Sequence, residues 1–141
     1  MSTTSSRISR IQLVMIPSTD QDRSISFYET LGFEKRADFP WGEGYRWVEI
    51  YPPNGTAGIS LVPPRPGEST GVQTGFILNT DDIDGTHAYL QAAGVDTDAQ
   101  VARVGAPAEI RIGAVEMAGP VPPMFWCRDP DGNRLLIVEV R

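Results

Sequence analysis

Cysteine and histidine are almost missing from this chain: Cys127 and His87 are each the only residue of their kind among 141. One thiol cannot form an intrachain disulfide, so a core must hold the fold, and a reducing cytoplasm is the expected location. Cys127 follows Trp126 and reads as packing, because Arg128 points to the opposite face of a strand and would not activate a thiolate. Basic residues are also scarce, 12 Lys and Arg against 18 Asp and Glu, for a net charge of −6. Nucleic-acid binders need clustered cations, so nucleic acid is not an expected partner. Residues 1–10 are rich in Ser and Thr without an apolar core, which argues against a signal peptide or membrane anchor. A short disordered tail over 1–7 is expected, with no membrane contact. What is present suffices for one soluble domain over 1–141, since 40% of the residues are hydrophobic.

Periodicity and turn residues then divide the chain. Ile11 to Pro17 is a short apolar run interrupted by Gln12 and bounded by Ser18 and Thr19, as in a buried strand. Asp20 stands at a helix N-cap position, Ile25, Phe27, Tyr28 and Leu31 follow at helical spacing, and Gly32 stops the run. Strands are predicted at Phe33–Phe39, Gly44–Tyr51 and Thr56–Val62, the last two separated by Pro52, Pro53, Asn54 and Gly55. Pro63 to Gly71 reads as a linker, rich in Pro, Gly, Ser and Thr.

The pattern then restarts. Val72 to Thr80 reads as a strand, Asp81 or Asp82 caps a helix carrying Ile83, Ala88, Tyr89, Leu90 and Ala93, and Gly94 ends it. A short strand from Val95 and strands near Met124–Arg128 and Arg134–Val140 follow, the last two joined by the tight-turn residues Asp129, Pro130, Asp131 and Gly132. Glu109 to Met117 alternates imperfectly and reads as either an extra hairpin or an ordered loop, so the role of 104–120 is left open. Two halves, each strand, helix, glycine stop and strands, make an internal repeat.

The run from Ser24 through Phe27, Tyr28, Leu31, Gly32 and Phe33 resembles the FY…LGF signature of the glyoxalase, bleomycin-resistance and extradiol-dioxygenase superfamily, the vicinal oxygen chelate proteins. Arg128-Asp129-Pro130-Asp131-Gly132-Asn133, followed by Leu135 to Glu139, is similar to that family's closing hairpin. The resemblance covers residues from about 8 to 140. It implies an α+β fold of two βαβββ modules, about 8–62 and 72–140, whose curved mixed sheets surround a cavity with helices on the outer faces, usually in a homodimer. Fold alone does not imply chemistry.

In metal-using members the resemblance implies ligands on the first and fourth strands of each module. Those positions fall at Leu13, near Ser60, at Gly75 and at Leu136, and none is a good ligand. A one-residue shift would bring Gln12 into the first position, yet three partners would still be missing; a shift of three to Glu139 flips its face. His87, in the second helix beside Thr86 and Tyr89, reads as solvent-facing or capping. We therefore expect no catalytic metal and no cofactor.

Strand alternation identifies what would line such a cavity. If Leu13 faces in, so do Ile11, Met15 and Pro17, while Val14 and Ile16 pack under the helices. Gly58, Ser60 and Val62 share one face, as do Gly75, Ile77 and Asn79. On the third strand either Tyr45, Trp47, Glu49 and Tyr51 face in, or Arg46, Val48 and Ile50 do; the polarity of Glu49 favours the first. Trp41, Trp47, Trp126, Tyr45, Tyr51 and Phe125 are either core or a stacking surface. The candidate ligand-binding residues are Leu13, Met15, Trp41, Tyr45, Trp47, Glu49, Ser60, Gly75, Asn79, Trp126 and Leu136.

Two functions fit. One is a metal-independent binding protein of the bleomycin-resistance kind, sequestering a hydrophobic or aromatic small molecule between two chains, a basic one suiting the negative charge. The other is a glyoxalase-like lyase, isomerase or dioxygenase-related enzyme using a pocket carboxylate as general acid or base, with Glu49 the candidate and Glu43 and Asp38 as further acids.

Overall fold

The computed structural model describes residues 7–140. The tail expected over 1–7 therefore lies, Arg7 apart, outside the described residues. The first module runs β1 (Leu13–Pro17), α1 (Gln21–Thr30), β2 (Glu34–Pro40), β3 (Arg46–Tyr51) and β4 (Gly58–Val62). The second runs β5 (Gln73–Thr80), α2 (Ile83–Ala92), β6 (Asp96–Thr97), β7 (Glu109–Ile112), β8 (Val115–Ala118), β9 (Met124–Arg128) and β10 (Arg134–Glu139).

Both helices start and stop by the same local chemistry. The side chain of Asp20 accepts from the Arg23 N–H, and that of Asp82 from the Gly85 N–H, satisfying donors that a helix N-terminus leaves orphaned. At the other end Phe33 N–H reaches Tyr28 O while Gly32 N–H reaches Glu29 O; Val95 to Leu90 and Gly94 to Gln91 repeat the arrangement. This closing motif needs a residue at positive φ. Gly32 and Gly94 supply it at 101° and 80°.

The two four-stranded sheets share one order, β1-β4-β3-β2 and β5-β10-β9-β6. In each, the first strand lies parallel to the fourth and the other neighbours are antiparallel. The architecture is α+β, as expected. The third strand starts at Arg46 rather than Gly44: Gly44 sits at φ 84°, outside strand geometry, and Trp41 N–H closes the β2–β3 connection on Tyr45 O at 3.1 Å. The ambiguous segment from Glu109 is a hairpin, β7 with β8, turning through Gly113 at φ 58°. It is an insertion between the second and third strands of module two.

One core cluster draws on both modules, from Ile16, Tyr28, Val48, Ile50 and Leu61 to Leu90, Phe125, Cys127, Leu135 and Ile137. A smaller one joins the hairpin, through Ile110, Ile112 and Met117, to Met124, Leu136 and Val138 on the second sheet. The lone thiol lies fully inside the first cluster, where burial pushes its pKa up to about 12. Cys127 is therefore expected to stay unmodified by a thiol-reactive disulfide reagent at pH 8 and to react only as denaturant unfolds the chain. Prompt labelling of the native protein would contradict this packing.

A polar latch joins the modules at the turn after β9. Buried Asp129 accepts from the Tyr28 hydroxyl, from Asn133 Nδ2 and from the backbone N–H groups of Asp131 and Asn133, each at 2.9 Å. The Asn133 amide also donates to Pro17 O at 2.9 Å and accepts from the Gly71 and Val72 N–H groups at 3.1 Å. The end of β1, the linker and the final hairpin thus meet at one side chain. No helix among the described residues is long and apolar enough to cross a membrane.

Candidate functional site

The first sheet separates its residues by parity. Val48 and Ile50 are fully buried on the helix side, whereas Trp47, Glu49 and Tyr51 look out from the other face. Register extends that face across the sheet: Met15 opposes Ser60, Ser60 opposes Glu49, and Glu49 opposes Ala37. In the next row Phe39 opposes Trp47. Leu13 opposes Gly58 at the other end.

The aromatic residues gather at one end of this wall. Trp41 packs edge-on against Trp47 with ring centroids 4.6 Å apart, and Trp41, Phe39 and Tyr45 all remain exposed. An exposed group of large rings is unusual on a surface with no occupant, since scattered apolar residues rather than clusters are the norm. Met15 on β1, 68% exposed, continues the apolar surface toward Ser60.

Glu49 sits at the centre of the wall with its carboxylate held in place. One oxygen accepts from the Trp47 indole N–H at 2.7 Å and the other from the Tyr51 hydroxyl at 2.9 Å. Its bond to Glu49 raises the Tyr51 phenol above the ordinary value, keeping it protonated and donating. Tyr51 reaches this position because Gly58 lies beneath its ring, where a β-carbon would come within 2.7 Å of the ring. The Arg36 guanidinium covers the ring at 4.7 Å. Gln21 holds the far end of β3 to β4, donating to Arg46 O at 2.6 Å and Leu61 O at 2.8 Å where the regular ladder stops.

The sequence candidates therefore separate into three groups. Leu13, Met15, Trp41, Tyr45, Trp47, Glu49 and Ser60 belong to module one. Gly75 and Asn79 lie on β5, an edge strand of the second sheet, and are exposed together with Ile77. Trp126 and Leu136 lie on the face that β7–β8 covers: Leu136 is only 3% exposed, and the Trp126 indole donates to Arg111 O at 2.9 Å, pinning the hairpin down. The hydrophobic strip on Ile110, Ile112 and Met117 does for module two what nothing among the described residues does for module one. Beside the hairpin is a cavity of about 630 Å³ with a mixed polar and apolar lining, whose Arg111 and Arg128 are paired with Glu116 and Asp98 at 2.8 and 2.7 Å.

Of the other acids, Asp38 opposes Val48 and so faces away from the wall; its carboxyl is held below the usual range by hydrogen bonds from Arg46 and Lys35. Glu43 is exposed in the β2–β3 loop. His87 is half-buried, its ring 2.7 Å from Asp98 O and 4.8 Å from the Phe125 ring. Two residues of the wall escape a reading by alternation. Phe39 pairs with Trp47 from a strand whose faces the sequence does not reveal, and Arg36 is the extra residue of a bulge between Lys35 and Ala37, which turns it toward Tyr51.

The positions where the fold family implies metal ligands hold Leu13, Ser60, Gly75 and Leu136, a donor set that does not fit a divalent ion. Among the described residues, no three His, Cys, Asp or Glu side chains cluster as such an ion would require.

Comparison with known proteins bears on the same geometry. TnmS3, an antibiotic binding protein from Streptomyces sp. CB03234, is 30% identical and superimposes with a TM-score of 0.72, covering 97% of this chain and 100% of its own. A glyoxalase/bleomycin resistance protein/dioxygenase superfamily member from Sphaerobacter thermophilus DSM 20745 is 28% identical, with a TM-score of 0.75 and coverage of 94% and 98%. YetH of Bacillus subtilis (strain 168) is 25% identical over 134 residues, 94% of this chain and 99% of that protein. The sequence profile of the family matches residues 10–137, spanning both modules and the latch between them, and the chain belongs to the Glyoxalase/Bleomycin resistance protein/Dioxygenase superfamily.

Proposed function

We propose that this chain is a metal-independent small-molecule binding protein, holding a hydrophobic or aromatic ligand against the wall formed by Trp47, Trp41, Met15 and Glu49. The observation that carries the reading is the exposed cluster of rings around one carboxylate whose orientation is set by two hydrogen bonds. Stacking provides area and the carboxylate provides direction, the usual division of labour in small-molecule sites. The likeness to TnmS3, an antibiotic binding protein, supports binding rather than turnover. A second copy of the chain completes the pocket, because β1 and β5 are both edge strands with exposed apolar residues, Met15 and Ile77. The two modules act as one domain, working in the cytoplasm.

The test is a thermal-shift screen of aromatic natural products, cationic glycopeptides and 2-oxoaldehyde adducts, with product analysis of every hit. A bound aromatic compound at a hundredfold excess over its Kd is expected to stabilise the protein by about 2.7 kcal/mol and to be recovered unchanged. Trp47→Ala should weaken it by at least about tenfold. Light scattering should report a dimer. Turnover that survives chelator and fails in Glu49→Gln would replace this reading with acid–base catalysis, and loss of binding on chelation would end metal independence.

A further inference from the structure

Ser60 is fully buried, and its Oγ has no hydrogen-bond partner among the described residues. A buried hydroxyl without a partner carries a desolvation penalty, and native structures keep few of them. The register places this one on the wall, between Met15 on one side and Glu49 on the other. Glu49 already accepts one hydrogen bond on each oxygen, but a carboxylate has capacity for about four. The site therefore pairs a hydroxyl with nothing to bind and a carboxylate with acceptor capacity to spare, side by side on the aromatic surface.

Resting on the binding function proposed above, we infer that the ligand is an aromatic compound bearing a hydroxyl group, which donates to Glu49 and accepts from Ser60. A single hydroxyl does both, leaving none of the three groups unpaired. A protonated amine fits less well. It has no lone pair to receive the Ser60 hydrogen, and it would approach a wall where the Arg36 guanidinium already covers the Tyr51 ring. Met15, opposite Ser60 and largely exposed, is unbranched and free to swing aside as the ligand enters. The neighbouring rings of Trp47 and Trp41 then receive the aromatic body.

Equilibrium dialysis of the full chain against 2-naphthol, 2-methoxynaphthalene and 2-naphthylmethylamine tests this. The first two share an aromatic body and an oxygen acceptor, and differ in the donor. The naphthol is expected to bind about tenfold more tightly than its ether; that ratio should fall toward one in Glu49→Gln, whereas Ser60→Ala should weaken both compounds and leave their ratio in place. The melting temperature of Ser60→Ala should equal or exceed that of the wild type, since the hydroxyl has no partner to lose. Equal binding of naphthol and ether would overturn the anchor while leaving the aromatic wall intact. Preference for the amine would overturn it in favour of a cation site, and a melting temperature several degrees lower in Ser60→Ala would show the hydroxyl to be partnered. No binding by any probe would defeat the wall along with its anchor.

Discussion

Asp129→Ala is expected to lose about 3–5 kcal/mol of stability, lowering the melting temperature by on the order of 10–20 °C. The four donors that converge on this carboxylate include the hydroxyl of Tyr28, a side chain fully enclosed by the core, and the amide of Asn133, itself buried. Removing the acceptor strands the Tyr28 hydroxyl and one of the two Asn133 amide hydrogens, the other staying on Pro17 O, where both side chains are fully buried. Tyr28→Phe removes one of these bonds and its donor together, so its cost should be smaller, about 1.5–3 kcal/mol. Arg23→Ala is the control. Arg23 meets Asp131 of the same turn at 3.4 Å, but it is half-exposed, and such a pair contributes less than about 1 kcal/mol. Chemical denaturation of the three variants checks the order; an Asp129→Ala protein as stable as Arg23→Ala would show that the latch does not hold the modules together.

Gly58→Ala is expected to cost about 2–3 kcal/mol and to release Glu49. The added methyl would lie 2.8 Å from the Ile50 carbonyl oxygen and 2.7 Å from the Tyr51 ring. The carbonyl is backbone within the sheet and has little room to give, so the ring has to leave. Tyr51 then no longer donates to Glu49, and the carboxylate keeps only its bond to Trp47. Tyr51→Phe separates the two effects, losing the hydrogen bond while the ring stays in place. Denaturation midpoints should fall in Gly58→Ala and hold nearly steady in Tyr51→Phe, while the NMR resonance of the Trp47 indole N–H should shift in both. An unchanged indole signal in either variant would show that the three side chains do not act as a unit.

Much of the framework was legible from residue order because it rests on local chemistry. A helix capped by Asp20 or Asp82 and closed by Gly32 or Gly94 involves atoms a few residues apart, and no distant partner is needed to predict it. The tight turn through Asp129 to Gly132 is local in the same way. Alternation along β3 separated Val48 and Ile50 from Trp47 and Glu49, because the period of a strand is two whatever it packs against.

Other features depend on contacts that sequence distance hides. Asp129 could be read as a turn residue, but its bond to Tyr28 spans 101 positions. Leu136 and Trp126 lie against hairpin β7–β8, and an imperfect alternation from Glu109 to Met117 does not say where a hairpin will dock. Arg36 reached Tyr51 through a bulge, a one-residue irregularity that periodicity cannot register. Ser60 reads as a small polar residue in a strand; that its hydroxyl is buried without a partner among the described residues follows only from what surrounds it.

The sequence by itself determined the repeat, the helix boundaries and the set of residue types available, including the poverty of metal ligands, since caps, periods and composition are properties of neighbours along the chain. The tertiary structure alone decided which module keeps an open wall, what fixes the orientation of its acid and which hydroxyl lacks a partner among the described residues. Those depend on packing between segments tens of residues apart, where register, a bulge and one inserted hairpin determine which groups meet.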